Sequence, residues 1–440
     1  MSANVYQNKD IWESKSLKML ITLFTSLMFI LLLFTDYSYS NSILIYVGMM
    51  SIGLLLIIRS YQAHNYGLLL LFAYLIKYIY LFYFVFFESV SFGPFTYHNN
   101  AQGYYQLALT IFPSLIVIYY FLTLKPMYHI VKKQVYNNKT LYYLCLLICF
   151  IFTILGHSGK NIMEAGYYGS GEGSLSTTFE YAIIFAVGAF IFSGEKPYRK
   201  RILYGLSIFY VLMDLSYGGR VSSVQLILAI WFLDFQYRNI PLKYIIILAV
   251  VGYVFFSAWG VFRGDVSGDF SSAVTTITSG QEAGYYSIDD GYVLYSGARV
   301  VNMVNDGIMS MEQRVLITLN FIVSIILPTS MQNTTYDIRW FMSDRYGSGG
   351  GGFYTGFLYV YGSYILIILV SMFIAKIVTK MYSKERFYSF ASVYSVFVCT
   401  TCPRWIGYNV VALCKYCIIG AIVISLLMYY HKKHSSVLRS

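Results

Sequence analysis

The chain is 440 residues long, 58% hydrophobic and only 12% charged, with a formal net charge of +11. A soluble globular chain carries about 25% charged residues, so charge this sparse cannot cover a water-facing surface, and the same deficit excludes disorder. The positive balance alone points to a nucleic-acid binder, but such a protein needs basic patches on a polar surface; here the basic residues sit between long apolar runs, as in a polytopic membrane protein.

A membrane-crossing helix needs about 20 mostly apolar residues. Runs of this kind occupy 17–35, 42–58, 66–87, 105–124, 141–155, 177–193, 201–217, 221–236, 241–261, 353–378, 386–400 and 406–430. The first run is not followed by a small-residue cleavage site, so it is predicted to be a retained span and not a signal peptide. Lys9, Lys15 and Lys18 lie before it, and Arg59 follows the second run. Lys125, Lys132, Lys133 and Lys139 follow the fourth; Lys196, Arg199, Lys200 and Arg201 follow the sixth; Arg238 and Lys243 follow the eighth. The alternate loops hold almost no lysine, Lys160 being the exception. Lysine and arginine favour the cytoplasmic side, so the N-terminus is predicted to be cytoplasmic.

The run 314–330 is ambiguous. If it crossed, Lys376, Lys380, Lys384 and Arg386, and the tail His431-Lys432-Lys433-His434, would fall outside. It is therefore predicted to lie in the interface or re-enter without crossing, and Pro328 fits a helix that stops short. The expected fold is an all-α polytopic integral membrane protein with about 12 transmembrane helices and both termini cytoplasmic. One large external loop carries the re-entrant or interfacial helix. Three segments follow: 1–261 with the first nine helices, 262–352 as the external region, and 353–440 with the last three helices and a cytoplasmic tail.

On this topology the lysines are mostly inside and the acids mostly outside. The external arginines, Arg220, Arg263, Arg299, Arg314, Arg339, Arg345 and Arg404, run against the bias. A guanidinium offers a planar fork of donors that fits phosphate and carboxylate oxygens. Each could pair with a neighbouring external acid; as a group they point to an anionic ligand at the outer membrane face. Arg220, in Tyr217-Gly218-Gly219-Arg220, and Arg263, in Phe262-Arg263-Gly264-Asp265, fall at headgroup depth, where a lipid-linked phosphate or diphosphate would lie. Lys77 and Lys415 are the ionisable residues nearest mid-helix, and Glu180 and Asp214 could pair with them or with Arg220.

Other signals are weaker. Arg345-Tyr346-Gly347-Ser348-Gly349-Gly350-Gly351-Gly352 could bring backbone N–H groups to an anion, or be a flexible connection. It has no Lys-Ser/Thr ending, so it is not a nucleotide P-loop. Glu164-Ala165-Gly166-Tyr167-Tyr168 recurs as Glu282-Ala283-Gly284-Tyr285-Tyr286, with Gly103-Tyr104-Tyr105 as a fainter echo; aromatic faces with hydroxyls suit sugar rings, although tyrosine is also favoured at interfaces. Cys399-x-x-Cys402 and Cys414-x-x-Cys417 have zinc-ribbon spacing but lie in or beside apolar spans, where they read as small packing residues.

With these residues in view, the chain resembles the Wzy-type O-antigen (oligosaccharide repeat-unit) polymerases. The resemblance rests on Gly218-Gly219-Arg220 before an apolar span and Phe262-Arg263-Gly264 opening the external loop. It rests also on Ile326-Leu327-Pro328-Thr329, and on the glycine run ahead of Gly356, Tyr359, Tyr361 and Gly362. The resemblance implies a metal-independent glycosyltransferase of the bacterial cytoplasmic membrane, without a cofactor, that joins glycan repeat units carried on undecaprenyl diphosphate. Membrane lipid, and a protein that regulates chain length, are the implied partners, and no nucleic acid. Arg220 and Arg263 carry over from the motifs as catalytic residues; Arg299, from external position alone, joins them, with Asp289 and Asp290 as candidate bases beside Glu282 and Asp337. Arg339, Arg345, Arg404, Gly350, Tyr285 and Tyr286 are the substrate-binding candidates. The alternatives are a lipid-linked oligosaccharide flippase or transporter, which would need charges along a path through the spans, and an O-antigen ligase. Related ligases use a histidine in the large external loop, and 262–352 holds none.

Overall fold

The computed structural model describes residues 15–63, 65–90, 92, 101–122, 136–161, 174–194, 196–235, 241–263, 270–278, 289–327, 334–346, 351–382 and 389–437. The described residues are helical almost throughout. In order the helices are α1 (Lys15–Leu33), α2 (Tyr39–Gln62), α3 (Tyr66–Phe87), α4 (Ala101–Phe121), α5 (Lys139–Leu155), α6 (Thr177–Ile191), α7 (Pro197–Ser216), α8 (Val221–Leu233) and α9 (Leu242–Phe262). Then come α10 (Phe270–Thr278), α11 (Asp289–Asn305), α12 (Met311–Ile326), α13 (Ile338–Tyr346), α14 (Tyr354–Val378), α15 (Phe390–Thr400), α16 (Cys402–Gly407) and α17 (Val411–Val437). Between α5 and α6, β1 (His157–Ser158) pairs antiparallel with β2 (Ser174–Leu175).

Among the described residues seven helices are long and apolar enough to cross a membrane, in α1–α4, α9, α14 and α17. Shorter apolar helices are α5, α6, α8 and α15. Apolar side chains stand exposed along α1 (Leu20, Leu23, Phe24, Leu27, Leu31) and α9 (Ile246, Ile247, Leu248, Val250, Val251). Such faces suit hydrocarbon and not water. The chain is a multi-pass, all-α membrane protein.

Its contacts divide it into two interleaved units. The first comprises Met1–Tyr128, Leu294–Ile322 and Gln332–Thr379. At its centre, α4 is buried at nearly every position from Gly103 to Tyr119. Small polar residues tie α4 to α14: Thr110 Oγ1 donates to Thr355 Oγ1 at 2.9 Å, and Ser114 Oγ lies 2.6 Å from both Tyr354 Oη and Ser371 Oγ. Small interfacial residues let membrane helices approach closely. The same device joins α11 to α14, where a Cβ at Gly356 would lie 3.0 Å from the Gly297 carbonyl oxygen.

The α14 helix breaks at Gly362-Ser363, with Ser363 at φ 52°. The break frees backbone carbonyls, which must find donors in an apolar environment. Arg314 supplies them: Nη2 donates to Tyr359 O at 3.0 Å and Nε to Val360 O at 3.1 Å. Thr318 Oγ1 donates to Tyr361 O at 3.2 Å, and Phe321 stacks on Tyr361 with ring centroids 4.3 Å apart. So α12 is stitched along the broken segment. Its start is a reciprocal cap, in which Gln313 N donates to Ser310 Oγ and Ser310 N to Gln313 Oε1. Its 16 residues span about 24 Å at 1.5 Å per residue, less than the roughly 30 Å of a hydrocarbon core. Pro328 lies outside the described residues.

The second unit comprises His129–Val293, Val323–Met331 and Lys380–Ser440. Its two ends differ chemically. One gathers Arg199, whose Nη1 donates to Asn137 Oδ1, the Lys200–Asp234 ion pair at 3.1 Å, and Asn138 against His431. These residues come from the starts of α5 and α7 and the ends of α8 and α17. The opposite end holds the cluster below.

Candidate functional site: an arginine cluster at one end of the second unit

The cluster is built on the turn between α7 and α8. Gly218 takes φ +73°, a left-handed conformation that glycine adopts without strain. At the next position a Cβ would collide with Asp214 Oδ1 and lie 2.7 Å from Leu175 Cδ1. Arg220 stands at the N-cap of α8 with no side-chain cap of its own. Asp214, from the last turn of α7, caps the helix instead: its Oδ2 accepts from Ser223 N at 2.7 Å and Ser223 Oγ at 2.6 Å. One buried carboxylate thereby fixes the residues on either side of the Gly-Gly pair.

Two arginines meet this turn. Arg220 Nη1 donates to Phe256 O of α9 at 2.8 Å. The guanidinium lies flat against α9 because residue 260 is glycine: a Cβ there would collide with Nη1 and stand 3.0 Å from Cζ. Arg263, at the end of α9, returns to the turn, and its Nη1 donates to Gly218 O at 2.6 Å. Its residue is only 8% exposed.

A third arginine comes from far along the chain. Arg404, in the short helix α16, forms an ion pair with Glu180 in the first turn of α6. Tyr416 Oη donates to the Glu180 backbone carbonyl at 2.9 Å and fixes that turn. Asp214 lies within electrostatic reach of both Glu180 and Arg404. Among the described residues, three guanidinium groups and two carboxylates come together here. Beside it, the β1–β2 pair rests on the turn, and the His157 ring stacks on Tyr217 at 4.6 Å and 15°.

Fixed guanidinium donors at the end of a bundle of apolar helices can hold phosphate or diphosphate oxygens at the headgroup boundary. They can also stabilise negative charge that grows on a leaving group there.

The sequence-predicted residues distribute as follows. Arg220, Arg263 and Arg404 come together in this cluster. Arg299 and Arg339 belong to the first unit. Arg299 lies half-buried on α11 with its Cζ 5.3 Å from the Tyr295 ring centroid. Arg339 is bidentate on Asp337, with Nε 3.0 Å and 3.1 Å from the two carboxylate oxygens, so Asp337 is engaged as an ion-pair partner. Arg345 falls in the last turn of α13, and Asp289 and Asp290 open α11. Gly350, Tyr285, Tyr286 and Glu282 lie outside the described residues, as do both full copies of the Glu-Ala-Gly-Tyr-Tyr echo. Of the third copy, Tyr104 Oη donates to Phe92 O and Tyr105 Oη to Leu32 O, both buried packing roles. Lys77 sits over the Tyr74 and Tyr78 rings, and Lys415 Nζ donates to Leu327 O. Glu180 and Asp214, which the sequence offers as partners for these lysines or Arg220, serve the arginine cluster instead. Their signal was an acid one turn from the end of an apolar span. His157 gave no comparable signal, because its neighbour Tyr217 is remote in sequence.

Compared with family models, with curated proteins and with solved structures, the chain finds no match.

Proposed function

We propose that the protein is a Wzy-type glycan polymerase that joins oligosaccharide repeat units carried on undecaprenyl diphosphate, at the outer face of a bacterial cytoplasmic membrane. The observation that carries this reading is the meeting of Arg220 and Arg263 around the Gly218-Gly219 turn, with the Arg404–Glu180 pair within electrostatic reach of Asp214 beside it. The proposal includes the topology: about 12 crossings of roughly 20 residues each or fewer, both termini cytoplasmic, and the arginine end outside. The grouping of Arg199, Lys200 and His431 at the other end of the same unit supports that orientation through the positive-inside rule.

In the proposed reaction the anomeric carbon of the growing chain leaves its lipid diphosphate for a hydroxyl on a new lipid-linked unit. Negative charge builds on the departing diphosphate, and Arg220 and Arg263 meet it. Removing one such donor from an oxyanion site costs about 10²–10³ in rate. A flippase would place charges along a path through the spans; in the second unit the described charges lie toward helix ends, apart from Lys415 within α17.

The test is an assay of purified protein with a lipid-linked repeat unit alone. A ladder of products without nucleotide is the expected result, and Arg220→Ala is expected to leave single units. A wild-type protein that makes no ladder, or one that transfers glycan only to a lipid A acceptor, overturns the polymerase reading, the latter in favour of a ligase.

A further inference from the structure

We propose that His157 is the general base of the transfer reaction, a catalytic residue presented to the arginine cluster by the β1–β2 pair. This rests on the polymerase reading above.

Deprotonating a sugar hydroxyl as it attacks calls for a group that is within reach of the acceptor and able to exchange protons near neutral pH. The carboxylates of the cluster are committed elsewhere. Asp214 is fully buried: its Oδ2 is held by Ser223 and its Oδ1 is covered by Gly219. Glu180 is buried and ion-paired with Arg404. The hydroxyls of Tyr210 and Tyr416 are buried and donate to the backbone carbonyls of Phe179 and Glu180. His157 is half-exposed at the same turn.

Its placement is fixed from two sides. Gly156 binds the chain tightly to the start of α6: Ser176 N donates to Gly156 O at 2.7 Å and Ser176 Oγ at 3.0 Å. A Cβ at Gly156 would stand 2.5 Å from Phe179 Cα, so this close exit from α5 needs glycine. The His157 backbone then pairs with Leu175, whose side chain packs on Gly219. The imidazole face lies nearly parallel on the Tyr217 ring, and the ring nitrogens, which exchange protons in the plane of the ring, are not covered by that stack. Tyr217 precedes the residue whose carbonyl Arg263 holds and stands three positions before Arg220. Among the described residues, the charged and titratable groups of the elements that meet here are Tyr217, Arg220 and Arg263 at the turn, Asp214 in the last turn of α7, and Lys160 on the segment of His157 itself.

In the step, an imidazole nitrogen takes the proton of the acceptor hydroxyl while that oxygen bonds to the anomeric carbon. The bond from that carbon to the diphosphate oxygen breaks, and its electron pair stays on the lipid diphosphate beside Arg220 and Arg263. The imidazolium then returns its proton to the diphosphate or to water.

The experiment compares purified wild-type protein with His157→Gln, His157→Ala and Tyr217→Phe in the ladder assay across pH, with and without added imidazole. His157→Gln is expected to slow turnover by about 10²–10⁴-fold, the usual span for general base catalysis, with KM little changed. The fall in wild-type rate on the acid side is expected to vanish in that variant, and imidazole to restore part of the His157→Ala rate. Tyr217→Phe keeps the stacked ring but removes the phenol; loss of the acid-side fall in that variant and not in His157→Gln would move the base to the Tyr217 hydroxyl and overturn the proposal. Ladders from His157→Gln at the wild-type rate and with the wild-type pH profile overturn the proposal and leave the polymerase reading standing. So does a slow His157→Ala that imidazole cannot rescue while His157→Gln runs at full rate, which marks a structural role. A wild-type protein that makes no ladder at any pH defeats the parent reading, and this one with it. Thermal melting of each variant separates lost chemistry from lost fold.

Discussion

At the scale of single residues, the arginines that run against the charge bias of the loops divide by what they touch. Arg339 and Arg404 hold carboxylates, Arg314 holds the carbonyls of a broken helix, and Arg220 and Arg263 hold the main chain around one turn. Position beside an apolar span marks Arg220 and Arg263 in the sequence, and the structure brings both to the surroundings of one turn. The sequence was not enough to separate Arg339 from Arg263, because a partner two residues away and a partner 45 residues away look alike in composition. Gly260 carries the sharper consequence. Since a Cβ at that position meets the far end of the Arg220 side chain and no backbone, Gly260→Ala is expected to leave thermal stability nearly unchanged. It is expected to displace the guanidinium and lower polymerisation toward the Arg220→Ala level, read as ladder length; wild-type ladders from Gly260→Ala would show that the Arg220 position is not critical. Asp214 predicts the opposite pattern. Asp214→Ala removes the acceptor for Ser223 N and Oγ, and losing a helix cap costs about 0.5–2 kcal/mol. Asp214→Asn keeps an acceptor oxygen, so its melting temperature in detergent is expected to fall less than that of Asp214→Ala.

At the scale of elements, helix positions were largely legible and their internal geometry was not. Most predicted runs fall on apolar helices with ends shifted by a few residues, because apolar length marks where a helix can be buried in lipid; the 201–217 run falls on α7, which is not among the apolar helices, and the 406–430 run overlaps both α16 and α17. The 353–378 run reads as one span, yet α14 breaks at Gly362-Ser363. A Gly-Ser pair permits a kink, but only the donors on α12 make this one stable, and those lie more than 40 residues upstream. The short helix at 314–330 was legible as an element that does not fit the charge alternation. Its task, satisfying a broken helix, was not. That task yields a prediction. Arg314→Ala strands the Tyr359 and Val360 carbonyls, and each buried unsatisfied group costs about 1–3 kcal/mol. The variant is expected to melt well below wild type, while Glu312→Ala, two residues earlier and exposed on α12, is expected to melt with wild type. Equal melting of the two variants would show that the break finds its donors elsewhere.

At the scale of the whole molecule, both units are assembled from separated stretches of sequence. A local reading therefore finds helices but not the company they keep: Glu180 meets Arg404 across 224 positions. Orientation is where local signal and assembly can be tested together, and α6 is the critical element. Its 15 residues reach only about 22 Å at 1.5 Å per residue, short of a hydrocarbon core of roughly 30 Å. Yet it is buried at Phe179, Ala182, Ile183, Val187, Ala189, Phe190 and Ile191, so neighbouring helices and not lipid meet most of its surface. A short helix sheathed in this way can still carry the chain across. Lys160 and Lys196 stand exposed before and after it. With cysteine placed at each in turn, Lys160→Cys is expected to react with a membrane-impermeant maleimide on intact cells, and Lys196→Cys only after permeabilisation. Reaction of both from outside would remove the α6 crossing. It would invert every later helix, leaving Arg199 outside and the Arg220 turn on the cytoplasmic side, where no lipid-diphosphate chemistry at the outer face could use it.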